Sequence, residues 1–123
     1  MKPEVHKAWI DALRSGEFKQ CRNAMTFLEE DGTFSHCCLS VLNTIGQKAN
    51  PDLNLRMVEG YWIDNELISP ASRIAKSLVE WAGLTDQYFE IGDHIPAGLN
   101  DLDELTFEEI ADILERVGPE DVK

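Results

Sequence analysis

Three things are scarce in this chain of 123 residues: cysteine, positive charge and long apolar runs. There are three cysteines, and two of them, Cys37 and Cys38, are neighbours. An odd count with adjacent members is not a disulfide framework, so the thiols read as reduced and the setting as the cytoplasm. No apolar run approaches the roughly 18 to 20 residues that span a bilayer. No charged-then-apolar leader follows Met1, so no secretory signal is expected. Lysine and arginine number 11 against 23 aspartates and glutamates, a formal net charge of −12. Proteins that grip DNA or RNA set Lys and Arg against phosphate, and an anionic membrane surface repels an acidic chain. Direct binding to nucleic acid or membrane is therefore not expected. A phosphate loop, a dinucleotide-binding glycine pattern and a Gly-x-Ser-x-Gly elbow are also missing, and no cofactor is expected.

What is present describes one globular domain over 1–123. The apolar fraction of 43% and charged fraction of 28% are ordinary for such a chain, and its length can bury one core. Pro3 suits the first turn of a helix, and Val5, Trp9, Ala12 and Leu13 then share one face as far as Gly16. Asp31-Gly32 marks a type I′ hairpin turn, with strands across about 24 to 36. Ser35 is placed to cap a second helix, whose inward stripe is Cys38, Val41, Leu42 and Ile45 and whose stop is Gly46. Leu55 to Ile63 reads as a strand. Ser69-Pro70 reads as a helix start, with Ile74, Leu78, Val79 and Trp81 inward and Gly83 at the end. Gln87 to Ile91 reads as a short strand, and Ile95 to Gly98 as a turn. Thr106 and Glu109 form a capping box for a last helix with Ile110, Ile113, Leu114 and Val117 facing the core. Trp9, Trp62 and Trp81 fall on apolar faces and are assigned to the core. The strands are too short for a doubly wound sheet. The expected class is α+β, a small, mostly antiparallel sheet packed by about four helices.

Several blocks occur together in order: Trp9 with Ala12-Leu13-Arg14-Ser15-Gly16 and Gln20; Cys37-Cys38-Leu39 with Val41-Leu42; Glu80-Trp81-Ala82-Gly83-Leu84; and Leu99-Asn100-Asp101 followed by Leu105-Thr106-Phe107-Glu108-Glu109-Ile110-Ala111-Asp112. Over about 9 to 117 the chain resembles a family of small proteins found in bacteriophages and prophages. The resemblance implies a setting in the bacterial host cell and supplies no activity. That family usually carries glycines after Gln20 and between Leu39 and Val41, where this chain has Cys21 and Ser40.

Four groups of residues invite a chemical reading. With Ser35 as cap, Cys37 and Cys38 occupy the second and third helical positions, where free N–H groups and the helix dipole stabilise a thiolate. His94 as base and Asn100 or Asp101 as its orienter would complete a thiol hydrolase or transferase. His36 is a poor base for Cys37, since neighbouring side chains on a helix point about 100° apart. The simpler alternative is core packing, because cysteine is among the most buried residue types. Cys37-Cys38, Cys21 and His6 lack the spacing of a zinc site, so no metal is expected.

Asn100, Asp101, Asp103 and Glu104 form a second group, able to offer oxygen ligands to a hard cation or to serve as a solvated turn before the last helix. Lys19, Gln20 and Arg22 are a small polar cluster that could hold an anion, and with Asn100 and Asp101 could border a small-ligand pocket. The fourth group follows from charge. Residues 1–61 carry seven basic against eight acidic side chains, whereas 62–123 carry four against fifteen. Glu108, Asp112 and Glu115, at i, i+4 and i+7, form an acidic ridge on the last helix. Such a ridge could dock on a basic groove or simply face water.

The leading expectation is an acidic, cytoplasmic, non-enzymatic accessory protein that binds a host or phage protein, a basic one being the natural complement. The alternatives are a Cys37-dependent enzyme and a small-ligand binder.

Overall fold

The computed structural model describes residues 1–123. In chain order the elements are α1 (Pro3–Arg14), β1 (Lys19–Gln20), β2 (Thr26–Leu28), β3 (Phe34–His36), α2 (Cys38–Ala49), β4 (Leu55–Val58), β5 (Tyr61–Asp64), β6 (Leu67–Ile68), α3 (Val79–Ala82), α4 (Pro96–Asp101) and α5 (Phe107–Val117). A 3₁₀ turn, Lys76–Leu78, leads into α3, and another, Pro119–Asp121, follows α5. The class is α+β, as expected.

Three helices make the core. α1 starts at Pro3 and buries Val5, His6, Trp9, Ile10 and Leu13. α5 begins as its capping box requires: the Thr106 side chain accepts from the Glu109 N–H at 3.2 Å, and the Glu109 carboxylate accepts from the Thr106 N–H at 3.1 Å. Its Ile110, Ala111 and Leu114 are fully buried. Two polar bonds fix how the helices meet. His6 Nε2 donates to the Leu114 carbonyl at 2.7 Å, and Trp9 Nε1 donates to the Cys38 carbonyl at 3.0 Å. A buried ring N–H would otherwise be left unpaired, at a cost of about 1–3 kcal/mol.

The strands form two three-stranded sheets rather than one. The first has the order β1-β3-β2 and the second β4-β5-β6. β1 was not foreseen: it runs parallel to β3, with Gln20 opposite His36. β2 and β3 are the expected hairpin, paired Thr26 to His36 and Leu28 to Phe34. Its turn is not type I′, however. Only Gly32 has positive φ, and Asp31 instead accepts from the N–H and hydroxyl of Thr33. The second sheet corrects the single strand expected over 55–63. Glu59-Gly60 and Asn65-Glu66 each have positive φ at both positions, the type I′ pattern of two-residue hairpins. Glu66 holds that conformation with its carboxylate bonded to Asn54 at 2.9 Å and Arg56 at 3.0 Å.

Other boundaries moved for identifiable reasons. Ser35 lies in β3, and Cys37 is the N-cap residue of α2. α2 passes through Gly46 to Ala49, because Gly46 marks a close approach and not a stop. A Cβ there would lie 2.7 Å from Leu78 and 2.9 Å from Trp81. Ser69-Pro70 opens a turn, and helix begins only at Lys76. The strand expected at 87–91 reduces to single bridges from Ile91 to His94 and Val122. The turn expected at 95–98 is the start of α4, with Pro96 at its first position.

Candidate functional site

Environment, not helix position, opposes the thiol chemistry read from Cys37. Cys37 does sit at a helix start, and the N–H groups of Leu39 and Ser40 favour its thiolate. Burial outweighs them and pushes the thiol up to about 12. Its Sγ rests 3.5 Å from the Met25 sulfur. Cys38 is fully buried and pushed up further, by burial first. A buried thiol in apolar surroundings is inert. Cys37 and Asp101 border one hollow, with Asn23 and Ala97. His94 borders another, with Ile95, Gly98 and Leu102. Cys37 and Asp101 thus share a hollow that His94 does not border.

Gln20, Asn100 and Asp101 are brought together, but they bind one another. Gln20 Nε2 donates to Asn100 Oδ1 and to the Leu105 carbonyl, both at 2.8 Å, while Gln20 Oε1 accepts from the Phe107 N–H at 3.1 Å. Asn100 Nδ2 donates to the Cys21 carbonyl at 2.9 Å and to Asp101 at 2.7 Å. Asp101 also accepts from the Asn23 N–H at 2.9 Å. Arg22 reaches over to the carbonyls of Glu104 and Leu105. This clasp ties the segment after β1 to the junction of α4 and α5. Asn100 is fully buried and its amide has little capacity left for a ligand. Lys19 points away, 3.5 Å from Glu29.

The acidic ridge is likewise occupied. Glu108, Asp112 and Glu115 surround a single guanidinium from α1. Arg14 Nη2 lies 2.6 Å from Asp112 and Nη1 2.7 Å from Glu115, while Nε is 3.3 Å from Glu108 without making a hydrogen bond. The hydrogen bonds to Glu115 and Asp112 hold Arg14 firmly cationic. The ridge keeps excess negative charge, but its geometry serves the contact of α1 with α5.

The surface that sequence reasoning missed is apolar. A groove of about 420 Å³ opens between the two sheets. Phe27, Leu28, Tyr61 and Ile68 border it and are 56%, 49%, 61% and 66% exposed. Trp62, almost buried, and Met25 line it below. The Thr26 hydroxyl bonds to the Gly60 carbonyl and holds the two sheets side by side. Isolated exposed apolar residues are ordinary, but several around one groove mark an interaction surface. The signal lay in the two-residue turns six positions apart, Glu59-Gly60 and Asn65-Glu66, which split the segment into short strands with outward apolar positions.

Beyond β6 lies a more polar hollow of about 500 Å³, bordered by Asp64, Asn65, Ser69, Lys76, Ser77 and Gln87 among others. The hydroxyls of Ser69 and Ser77 are buried there without a hydrogen-bond partner. No three His, Cys, Asp or Glu side chains converge to hold a metal ion. No helix is long and apolar enough to cross a membrane.

Comparison with known proteins gives a family and no activity. The model of a family described as "Domain of unknown function (DUF8296)" matches residues 1–118, and the chain belongs to that family. No curated protein and no solved structure gives a significant match.

Proposed function

We propose that this protein works by binding another protein through the groove between its two sheets, and not by catalysis. One observation carries the reading: four large apolar side chains stand exposed around one groove, while the polar groups that sequence pointed to are satisfied within the fold. The setting belongs to the same proposal: an accessory protein of a phage or prophage, in the cytoplasm of the bacterial host, acting on a host or phage protein in host takeover or counter-defence. The ordered sequence blocks support that setting, and the net charge of −12 supports a basic partner.

The test is capture from nuclease-treated bacterial lysate, read by mass spectrometry, with the wild-type chain and a Phe27→Ser, Tyr61→Ser double variant. A basic protein held by the wild type, released by salt and not held by the variant is the expected result. Equal retention by both overturns the groove as the binding face. The thiol alternative makes an opposite claim that can be checked directly. Alkylation of Cys37 in the folded protein at pH 7 to 8 should be negligible and should become fast only after denaturant unfolds the chain. Rapid modification of the folded state would revive Cys37 as a nucleophile.

The unpartnered hydroxyls of Ser69 and Ser77 beside Lys76 favour a second reading, a small polar ligand in the hollow beyond β6. A ligand-dependent rise in melting temperature, lost in Lys76→Ala, would support it.

A further inference from the structure

Resting on the groove as a protein-binding face, we propose that its occupant is an extended, basic segment of the partner that adds as a strand to the free edge of β2.

The backbone supplies the first argument. β2 is the outer strand of its sheet. The Met25 carbonyl accepts from the Cys37 N–H, and the Glu29 N–H donates to the Thr33 carbonyl, each at 2.8 Å. Residues in an antiparallel ladder alternate between facing the partner strand and facing away. Thr26 and Leu28 therefore turn their N–H and C=O groups outward. Thr26 is buried against Gly60 whereas Leu28 is half exposed, so Leu28 offers the accessible pair. Edge strands are kept unpaired by shortness, charge, proline or a bulge; β2 has only the first of these, since it reads Thr-Phe-Leu and its register with β3 is unbroken. The strand is short, so the added segment gains few backbone bonds. Apolar side chains seated against Phe27, Tyr61 and Ile68 must supply the rest, as in other strand additions.

Charge supplies the second argument and selects the occupant. Glu59 lines the groove, and no lysine or arginine does. Glu30 and Asp31, both exposed, follow just past the end of β2. A segment with basic residues flanking its apolar ones meets this rim favourably. A second copy of the chain would bring the same acidic rim and a further charge of −12, which opposes edge-to-edge pairing.

Three synthetic peptides of eight residues test this: one alternating lysine and valine, its glutamate and valine counterpart, and the lysine peptide N-methylated at alternate residues. Each is titrated into the full-length protein, followed by NMR shifts and hydrogen exchange at the Leu28 amide. The lysine peptide should bind at least about tenfold tighter than the glutamate peptide and weaken with salt. It should protect the Leu28 N–H. N-methylation keeps charge and side chains but removes backbone donors, and should weaken binding by about tenfold or more, since each lost bond leaves a partner unpaired. No binding of the lysine peptide, or equal binding of the glutamate peptide, overturns the proposal. Equal binding of the N-methylated peptide overturns strand addition; the lysate experiment with the double variant still decides the groove separately. Leu28 protection that rises with protein concentration alone overturns it in favour of a second copy.

Discussion

The helical layer and the paired sheets use their apolar residues in opposite ways. In α1, α2 and α5, Trp9, Leu42, Ile110 and Leu114 are fully buried, and the polar tips among them find carbonyl partners. In β2, β5 and β6, strands of two to four residues leave Phe27, Leu28, Tyr61, Leu67 and Ile68 exposed. The helices hold the fold together, and the sheets display surface. Stability and binding should therefore separate cleanly by position.

The largest effect that sharpens this contrast is in α5. Leu114→Ala removes a fully buried side chain and should cost about 2–5 kcal/mol in urea denaturation. Tyr61→Ser, on the exposed rim, should change stability by no more than about 0.5 kcal/mol and should weaken capture of the partner. A Tyr61→Ser protein that unfolds would break the contrast, since the sheets would then carry stability too.

Next comes the clasp, which belongs with the helices although part of it follows β1. Asn100→Ala leaves the Cys21 carbonyl and one Gln20 donor bond unmet and should cost about 1–3 kcal/mol. Gln20→Ala breaks the same network, so the double variant should be less unstable than the sum of the two, with a coupling of about 0.5–3 kcal/mol. Strict additivity would show that the two side chains act apart.

What could be read from the sequence followed the strength of local signals. α1 and α5 were legible because Pro3, the Thr106–Glu109 box and a 3.6-residue apolar period all agree. The hairpin was legible at Gly32. The second sheet was not, because its turn signals, Gly60 and Asn65, are each paired with a glutamate, and positive φ at Glu59 and Glu66 is unusual for that residue. Ser69-Pro70 misled for the opposite reason: it has the form of a helix start, but the following chain is turned by Ser72 at positive φ. The candidate sites share one feature that a sequence does not show. Gln20, Asn100, Asp101, Glu108, Asp112 and Glu115 are polar residues at marked positions, and only tertiary structure reveals that Gln20 bonds Asn100 and Phe107, that Asp101 bonds Asn23, and that Arg14 sits among the three acids of α5.

A smaller effect acts at the joint between the two regions. Ser40 Oγ accepts from Trp62 Nε1 at 3.0 Å and shares a hydrogen bond with His36 Nδ1 at 2.8 Å. Burial lowers the pKa of His36 from its usual 6.5. Above pH 6.5 neither folded nor unfolded chain is protonated there. Below it the unfolded chain takes up a proton that the folded ring resists, so stability falls as pH drops from about 6.5 toward the lower folded value. His36→Asn should flatten the urea midpoint between pH 7 and 5.5. The carboxylates of Asp31 and Glu66, held down by Thr33 and Arg56 respectively, act in a more acid window: their stabilisation is lost below the ordinary carboxylate range.

The smallest effect is expected at Arg14, and it tests which acidic surface does the binding. Arg14→Met keeps much of the stem on α1 but leaves Glu108, Asp112 and Glu115 without their shared cation. Like charges at i and i+4 on a helix repel, so the melting temperature should fall slightly. The deficit should shrink near 1 M salt, where the screening length is only about 3 Å. The same variant frees three carboxylates for an outside ligand. If the groove is the binding face, capture of the basic partner should be as strong with Arg14→Met as with the wild type. If capture becomes stronger, the ridge on α5 competes for the partner, and the division between a structural helical layer and a binding sheet face fails at that point.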